Sequence, residues 1–571
     1  MSDLTGSRTA ADLLNDALER AGVRCIFANL GTDYPPIIES WARHKALGEA
    51  MPQVIIAPHE YAAVSAAQGY AQVSGTPQAV FVHVDVGTQN MGGALHNAFR
   101  CRVPMFILAG LSPYTMEGER PGSRDAYIQF IQNTGDQAGI VRGYTKLCAE
   151  LRSGVNVQQN VYRALQLACS EPKGPVYLTA ARETLEEPGR RIGRGPDAWQ
   201  PIAPVGLDEE SAGVLLSALT AAQRPLVITS YLGRDRAAVG ALTAFCRRLA
   251  VPVLEANPVA MNYPADDELY LGDDPSLAER ADVILSVDCD LPWPVGVSPA
   301  AGCRIFSLDV DPIKEHIPLW NIGAERAMQC SARAALEQLL AKIDAAGPDA
   351  ALSARIEARR ARIAAKHAEY AAALARAERL PADRLTPEYV TACVRSFLRE
   401  DDIVLNEVIS YGQAVHHHLR RSAPGTLFAS GGSSLGWFGG AAVGAKLAAP
   451  DRRVVALASD GTFIFSCPTA VYWMARRYGA PFLTVIYNNE GWGAPKSITR
   501  RQHPGGYADR TGEFWSDFAP AAELEKVAEA AGGALALRVT RPDELAGALR
   551  RGFDAVDGGV SAVISVMLPG V

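Results

Sequence analysis

The chain has no long apolar run, no paired cysteines and no excess of positive charge, and each absence argues against a class of protein. Its 571 residues contain no uncharged apolar run of about 18 residues, so we expect no membrane-spanning segment. The 10 cysteines are scattered without a Cys-x-x-Cys pair, which disfavours a zinc site or a disulfide framework. A formal net charge of −7 offers no basic face to nucleic acid. Residues 1–5 lack the charged start and apolar core of a secretion signal, which predicts a cytoplasmic protein.

A Gly-x-Gly-x-x-Gly motif after a first predicted strand is also missing. This motif is typical of dinucleotide-binding units, where its glycines let the backbone approach a pyrophosphate. Its absence disfavours a dinucleotide-dependent oxidoreductase.

The chain does have three stretches in which short apolar runs alternate with helical patterns. This alternation predicts an α/β fold with three doubly wound parallel-sheet domains, because the chain is too long for one core. The predicted domains cover residues 1–185, 205–345 and 385–571. An Ala-, Arg- and Glu-rich stretch, residues 351–380, predicts a connecting helix with solvated faces.

The predicted strands follow from the apolar runs. In the first unit they are residues 24–30, 54–56, 79–84, 104–108 and 176–179. In the second unit they are residues 224–228, 251–254, 283–287 and 304–309. In the third unit they are residues 403–405, 426–428, 454–457, 482–486 and 561–566.

The stretch around Asp460 is the most informative part of the third unit. A buried strand is predicted to end in a tight turn at Ser459, Asp460 and Gly461. The next strand ends at Asn489, which lies 29 positions after Asp460. Ligands bind at the carboxyl ends of parallel strands, and Asp and Asn oxygens suit Mg2+ there. The alternative is a structural Asx-turn.

This pair resembles the thiamine-diphosphate binding motif, a Gly-Asp-Gly turn followed by Asn-Asn, with Ser459 at the first glycine. In the first unit, His59-Glu60 before an Ala-rich helix, and Gly87-Thr88-Gln89-Asn90, resemble the pyrimidine-binding domain of the same enzymes. The whole chain is similar to the acetolactate synthase, pyruvate oxidase and benzoylformate decarboxylase group. The resemblance implies pyrimidine-binding, central and diphosphate-binding domains in that order.

The resemblance also implies the site residues. Glu60 would hydrogen-bond the aminopyrimidine ring and take part in proton transfer; the alternative is a glutamate favoured by a helix N-terminus. Asp460 and Asn489 side chains and the Gly491 carbonyl would bind Mg2+. The other expected cofactor contacts are Thr32, Gln89, Ser410, Gln413, Leu435, Gly461 and Thr462.

The resemblance also assigns a catalytic role to His83. This role and the roles of Thr32 and Leu435 have open alternatives. His83 matches a histidine that acts in proton transfer in benzoylformate decarboxylases, but it also reads as a structural histidine at a strand end. Thr32 matches a serine near the substrate carboxylate in the same decarboxylases, or it caps a helix. Leu435 matches the apolar residue that bends the cofactor, or it packs in the core.

The function implied by the resemblance is a thiamine-diphosphate- and Mg2+-dependent lyase or carboligase. It would act on a 2-oxo acid like an acetolactate synthase, decarboxylating it through an enamine intermediate, with an acceptor aldehyde or ketone for carboligation. The alternatives are a simple decarboxylase that releases an aldehyde and a non-catalytic regulatory paralogue. The family places its cofactor between chains, which implies a homodimer or homotetramer. FAD is not expected, since residues 288–294 lack the Arg-containing stretch of acetolactate synthases.

Overall fold

The computed structural model describes residues 8–347, 349–381 and 383–570. They form three parallel sheets flanked by helices, which confirms the predicted fold class. Residues 1–5, for which no secretion signal is predicted, lie outside the described residues. The domain limits 1–185, 205–345 and 385–571 stay predictions.

The N-terminal sheet has six strands in the order β2-β1-β3-β4-β6-β5. The strands are β1 Cys25–Asn29, β2 Gln53–Ile56, β3 Gln78–Val82, β4 Met105–Leu111, β5 Leu147–Leu151 and β6 Pro175–Ala181. The helices are α1 Ala10–Arg20, α2 Pro35–Leu47, α3 Glu60–Ser74, α4 Val86–Asn90, α5 Gly92–Arg100, α6 Ile128–Ile131, α7 Val157–Cys169 and α8 Arg182–Glu186.

The central sheet has five strands in the order β11-β10-β9-β7-β8. The strands are β7 Pro225–Thr229, β8 Val253–Glu255, β9 Val283–Val287, β10 Arg304–Asp309 and β11 Arg326–Gln329. The helices are α9 Glu209–Ala221, α10 Arg236–Leu249, α11 Ser276–Arg280, α12 Ala332–Ala346 and α13 Ala350–Ala377.

The C-terminal sheet has six strands in the order β13-β12-β14-β15-β17-β16. The strands are β12 Ile403–Glu407, β13 Leu427–Ala429, β14 Val454–Ser459, β15 Leu483–Asn488, β16 Leu535–Val539 and β17 Ala562–Met567. The helices are α14 Pro387–Phe397, α15 Gly412–Leu419, α16 Trp437–Ala448, α17 Asp460–Phe465, α18 Pro468–Arg477, α19 Gly493–Gln502, α20 Tyr507–Thr511, α21 Leu524–Gly532 and α22 Pro542–Asp557.

The N- and C-terminal sheets share one strand order, and in each the winding reverses between the first and third strands. Such a reversal opens a crevice at the carboxyl ends of the strands, where ligands bind. In the N-terminal sheet, Asp33 follows β1 and His83 follows β3. In the C-terminal sheet, Glu407 ends β12 and Asp460 follows β14. The topology therefore brings titratable side chains to both crevices, among them the candidates His83 and Asp460.

Helices α3 and α16 join the two outer sheets through small residues. A Cβ atom at Gly69 would lie 2.2 Å from the Ala441 carbonyl oxygen, and one at Gly444 would lie 1.9 Å from the Ala66 carbonyl oxygen. Because neither glycine can carry a side chain there, the two helix backbones touch. A single buried apolar cluster extends across this contact.

Three strands that the sequence did not predict, β5, β11 and β16, all lie at sheet edges. Most of their residues are half-buried or exposed. A strand covered on one side lacks the continuous apolar run that marks a central parallel strand, so the sequence criterion missed them.

Two local expectations were wrong in detail. The tight turn at Asp460 is absent: β14 runs to Ser459 and α17 begins at Asp460 itself. Helix α13 is not solvated on all faces, because the Arg359 guanidinium is buried and donates to the carbonyl oxygens of Leu249 at 2.7 Å and Ala222 at 2.5 Å. These carbonyls belong to the ends of α10 and α9, so Arg359 satisfies groups that the helices leave unpaired.

No helix within the described ranges is both long enough and apolar enough to cross a membrane. The cytoplasmic location stays a prediction.

Candidate cofactor site

The Asp460 carboxylate is almost fully buried at the start of α17. Its Oδ1 accepts a hydrogen bond from the Gly461 N–H at 2.8 Å, and its Oδ2 accepts one from the Gly491 N–H at 2.8 Å. Burial raises the pKa of Asp460, and these N–H groups oppose the shift. The carboxylate thus ties the end of β14 to the loop after β15.

The amide of Asn489 lies against the Gly491 carbonyl and the Asp460 carboxylate. One end of this amide lies 2.9 Å from the Gly491 carbonyl oxygen and 3.3 Å from Asp460 Oδ1. With nitrogen at that end the amide donates to both atoms; with oxygen there, three oxygens converge, as Mg2+ requires. Asp460, Asn489 and Gly491 therefore fit the predicted metal, and we call them the metal half-site.

The loop of the metal half-site is fixed by backbone contacts. The Trp492 N–H donates to the Ser516 carbonyl at 2.7 Å. A Cβ atom at Gly491 would lie 2.4 Å from the same carbonyl oxygen, so only glycine fits. At the start of α17, the Thr462 hydroxyl accepts from the Ser459 N–H at 2.8 Å and donates to the Ser459 carbonyl at 2.8 Å.

Glu60 is the first residue of α3 and its side chain is buried. Asn90 Nδ2 donates to Glu60 Oε2 at 3.2 Å. A Cβ atom at Gly87 would lie 3.4 Å from Glu60 Oε1 and 3.3 Å from His83 Cβ. Gly87 therefore lies between Glu60 and His83, which places the two predicted catalytic side chains beside each other.

The His83 imidazole has a polar partner at each nitrogen. Nδ1 hydrogen-bonds the buried carboxylate of Asp33, and Nε2 lies 3.0 Å from Oε1 of the buried Gln132. The bond to Asp33 raises the pKa of His83 above its usual value, and Glu60 adds to the shift. We call Glu60, Asn90, His83, Asp33 and Gln132 the proton half-site.

Two predicted contacts near the proton half-site face solvent. The Thr32 side chain is exposed, and its carbonyl accepts from Arg182 Nη1 at 3.4 Å. The Gln89 side chain is exposed and donates to Asp85 Oδ1 at 2.9 Å. Their roles as cofactor contacts stay predictions.

Of the predicted contacts on the C-terminal side, Ser410 is half-buried after β12. The Gln413 side chain hydrogen-bonds Asp273 of the central sheet region. No hydrogen bond among the described residues links Ser410 or Gln413 to the metal half-site. Their assignment as cofactor contacts stays a prediction.

The loop that carries Leu435 is held by residues of two helices that flank the N-terminal sheet, α3 and α5. Asn97 pairs with the backbone of Ser434 in both directions: its Nδ2 donates to the Ser434 carbonyl at 2.8 Å, and its Oδ1 accepts from the Ser434 N–H at 3.0 Å. The Tyr61 hydroxyl donates to the Leu435 carbonyl at 2.5 Å. Leu435 itself is half-buried, so it is not a plain core residue.

Within the described residues of one chain, no direct bond joins the two half-sites. None of the hydrogen bonds or ion pairs found in residues 8–347, 349–381 and 383–570 joins Glu60 or His83 to Asp460 or Asn489.

Sequence reasoning missed Asp33 and Gln132. Asp33 comes directly after Gly31 and Thr32, at the end of a predicted strand, and that position was its only signal. The parallel pairing of β1 with β3 turns the position into a contact with His83. Gln132 lies just after the short helix α6, where no pattern marks it.

Comparison with known proteins finds domains of the same enzyme family in the N-terminal and C-terminal parts of the chain. The family described as thiamine pyrophosphate enzyme, N-terminal TPP binding domain, matches residues 8–140, which include the proton half-site. The corresponding C-terminal TPP binding domain matches residues 410–566, which include the metal half-site.

Similar proteins span nearly the whole chain. Acetolactate synthase of Bacillus subtilis is 24% identical over 95% of this chain and 91% of its own length. Benzoylformate decarboxylase of Pseudomonas aeruginosa is 25% identical over 84% of this chain and 85% of its own length. The solved 4-hydroxybenzoylformate decarboxylase of Rhodococcus jostii RHA1 superposes with a TM-score of 0.79, 21% identity and coverage of 99% and 100% of the two chains. Both TPP binding domains of the family match this chain, in the family's order. This chain therefore belongs to the thiamine pyrophosphate enzymes.

Proposed function

We propose that this chain decarboxylates a 2-oxo acid with thiamine diphosphate and Mg2+ and releases an aldehyde. The observation that supports this most is the His83 imidazole, held by Asp33 and Gln132 beside Glu60. A histidine that carries a proton next to the reacting carbon suits protonation of the product.

The metal half-site would hold the cofactor through Mg2+, which takes oxygens from both protein and diphosphate. Gly461 and Thr462 would lie next to the diphosphate, and Leu435 would support the cofactor's apolar side. When bound, the thiazolium ring accepts the electron pair that carbon dioxide leaves behind. Glu60 would hold a proton against the pyrimidine ring, where a buried carboxyl group can exchange it.

His83 would donate the proton on Nε2 to the carbon from which carbon dioxide has left. The reaction consumes one proton from solvent for each aldehyde released, and that proton restores the imidazolium. In this structure Gln132 Oε1 accepts from His83 Nε2, and the substrate would replace Gln132 as the partner of Nε2.

A second candidate is carboligation, in which the same carbon adds to an acceptor aldehyde or ketone. The match to acetolactate synthase over 95% of the chain supports it. A non-catalytic regulatory paralogue is disfavoured because both Glu60 and Asp460 are present and buried.

We propose that no FAD binds, because a side chain from the N-terminal sheet region bonds the residues at the carboxyl ends of the central strands. Arg102 Nη1 donates to Asp309 Oδ1 at 2.8 Å, and its Nη2 donates to Asp290 Oδ1 at 3.0 Å. Its guanidinium carbon lies 4.3 Å from the centre of the Tyr231 ring. Tyr231 and Asp290 follow β7 and β9, and Asp309 is the last residue of β10, at the end of the sheet where a nucleotide would enter.

We propose a homodimer, or a homotetramer built from it, in which the proton half-site of one copy meets the metal half-site of the other. The lack of a direct bond between the two half-sites, among the described residues of one chain, supports this. Val86, Phe465 and Trp492 are apolar, lie near the two half-sites and are 49%, 50% and 41% exposed. A second copy would cover them.

The test is a panel of 2-oxo acids, aliphatic and aromatic, assayed with thiamine diphosphate and Mg2+ and with either one omitted. We expect aldehyde as the main product and no turnover when either is left out. Acyloin or acetohydroxy acid as the main product would favour the second candidate. No turnover of any acid, together with no binding of the cofactor, would contradict both.

A further inference from the structure

Asp33 is a buried carboxylate with no assigned role, and both of its oxygens are used. Oδ1 bonds His83 Nδ1, and Oδ2 accepts from the Val84 N–H at 3.2 Å. We propose that Asp33 is the positioning residue for His83: it keeps a proton on Nδ1, fixes the plane of the ring and turns Nε2 towards the substrate. This inference rests on the proposed function of His83.

The space for this pair is provided by two glycines. A Cβ atom at Gly31 would lie 1.8 Å from His83 Nδ1, and a Cβ atom at Gly110 would lie 1.4 Å from Asp33 Oδ2. Neither glycine has a positive φ, so each is needed for room and not for backbone conformation. Any other residue at either position would displace the imidazole or the carboxylate.

Gln132 fixes the other end of the ring. Its Oε1 lies 3.0 Å from His83 Nε2, while its own Nε2 is buried without a partner among the described residues. With an acceptor at both nitrogens, the ring is best satisfied when both carry a proton. An anionic substrate entering here would meet two donors, the His83 Nε2–H and the Gln132 amide.

The electrostatics agree with this arrangement. Two carboxylates, Asp33 and Glu60, and the amide of Gln132 each raise the pKa of His83, and burial lowers it. The bond to Asp33 is the largest contribution. His83 therefore stays protonated to higher pH than an ordinary histidine, and activity that needs the proton falls as the pH rises through its pKa.

The test is the Asp33→Asn variant, which keeps the shape and removes the charge. We expect the descending limb of its kcat–pH profile to move to lower pH by about one unit or more. The His83 NMR signal, assigned with His83→Gln, should shift its titration in the same direction. An unchanged limb and titration would overturn the proposal.

Asp16→Asn is the matched control. Asp16 bonds the buried His44 at 3.1 Å and raises its pKa, so this variant breaks a similar pair outside the site. We expect it to leave the kcat–pH profile unchanged.

The NMR titration needs no substrate, so it also tests the pair if no 2-oxo acid is turned over. If only the proposed function is wrong, the His83 titration will still shift in Asp33→Asn, although neither the variant nor the wild-type protein turns over a 2-oxo acid. If Asp33→Asn does not fold, the imidazole 15N shifts of the wild-type protein decide. Both His83 nitrogens protonated near neutral pH would support the proposal, and a neutral imidazole would overturn it.

Discussion

The metal half-site and the proton half-site are built in different ways. The metal half-site takes two N–H groups, one carbonyl and two side chains from neighbouring strand ends, with 31 positions between Asp460 and Gly491. The proton half-site depends mainly on contacts between side chains, with the Val84 N–H as a backbone donor to Asp33. In it, His83 reaches Asp33 and Gln132 across 50 and 49 positions. A short segment can therefore specify the proposed metal ligands, whereas the proposed proton donor, His83, depends on the folded sheet.

The largest expected effect is at the metal half-site. The variant Asp460→Ala removes a proposed Mg2+ ligand and leaves the N–H groups of Gly461 and Gly491 without an acceptor. We expect thiamine diphosphate, titrated calorimetrically with Mg2+, to bind at least about 100-fold more weakly, and we expect no measurable turnover.

Asp509→Ala is the control for this variant, since Asp509 is exposed and pairs with the exposed Arg500. It should bind the cofactor normally. Normal cofactor affinity in Asp460→Ala would mean that the metal lies elsewhere.

An intermediate effect is expected at the proton half-site. The variant Glu60→Gln keeps the shape but cannot exchange a proton, so we expect kcat to fall by about 10²- to 10⁴-fold. Cofactor affinity should change much less, which would separate the two half-sites functionally. NMR of the bound cofactor should show slow exchange of the thiazolium C2 proton.

Glu325→Gln, at an exposed pair with Arg304, is the matched control and should exchange this proton at the wild-type rate. Fast exchange in Glu60→Gln would remove Glu60 from the chemistry.

The smallest effect is expected from Asn97→Ala. Asn97 belongs to the N-terminal part of the chain but bonds the loop of Leu435 in the C-terminal part, so this variant tests a contact between the parts that carry the two half-sites. The variant removes two hydrogen bonds to Ser434 and should loosen the Leu435 loop. We expect cofactor binding to weaken about tenfold, with the kcat–pH profile unchanged. Asn160→Ala, on the exposed face of α7, is the control. An unchanged Kd would show that the loop does not depend on Asn97.

The difference between the half-sites also explains what the sequence could predict. The apolar strands β14 and β15 are neighbours in both the sequence and the sheet. The residues that follow them, Asp460, Asn489 and Gly491, could therefore be expected to lie together from the sequence pattern alone. Glu60 was predicted through the resemblance, since a glutamate at a helix start is common for other reasons.

The remaining features needed the folded chain. Asp33 meets His83 only because β3 pairs with β1, and the room for both comes from Gly31 and Gly110, which sequence reasoning did not single out. The edge strands β5, β11 and β16 were not predicted, because they are buried on one side only and lack a continuous apolar run. The link from Asn97 to the Leu435 loop joins residues that are 337 positions apart in the sequence, so it depends on the packing of the two outer domains.

The most direct test of the proposal that half-sites of two copies meet uses heterodimers of Glu60→Gln and Asp460→Ala chains, purified with two different tags. If each cofactor lies between copies, one of the two sites in the heterodimer keeps both Glu60 and Asp460. We then predict about half of the wild-type activity, although each variant alone is inactive. Heterodimers that form but stay inactive would contradict the account, because Glu60 and Asp460 would then have to serve one site from the same chain.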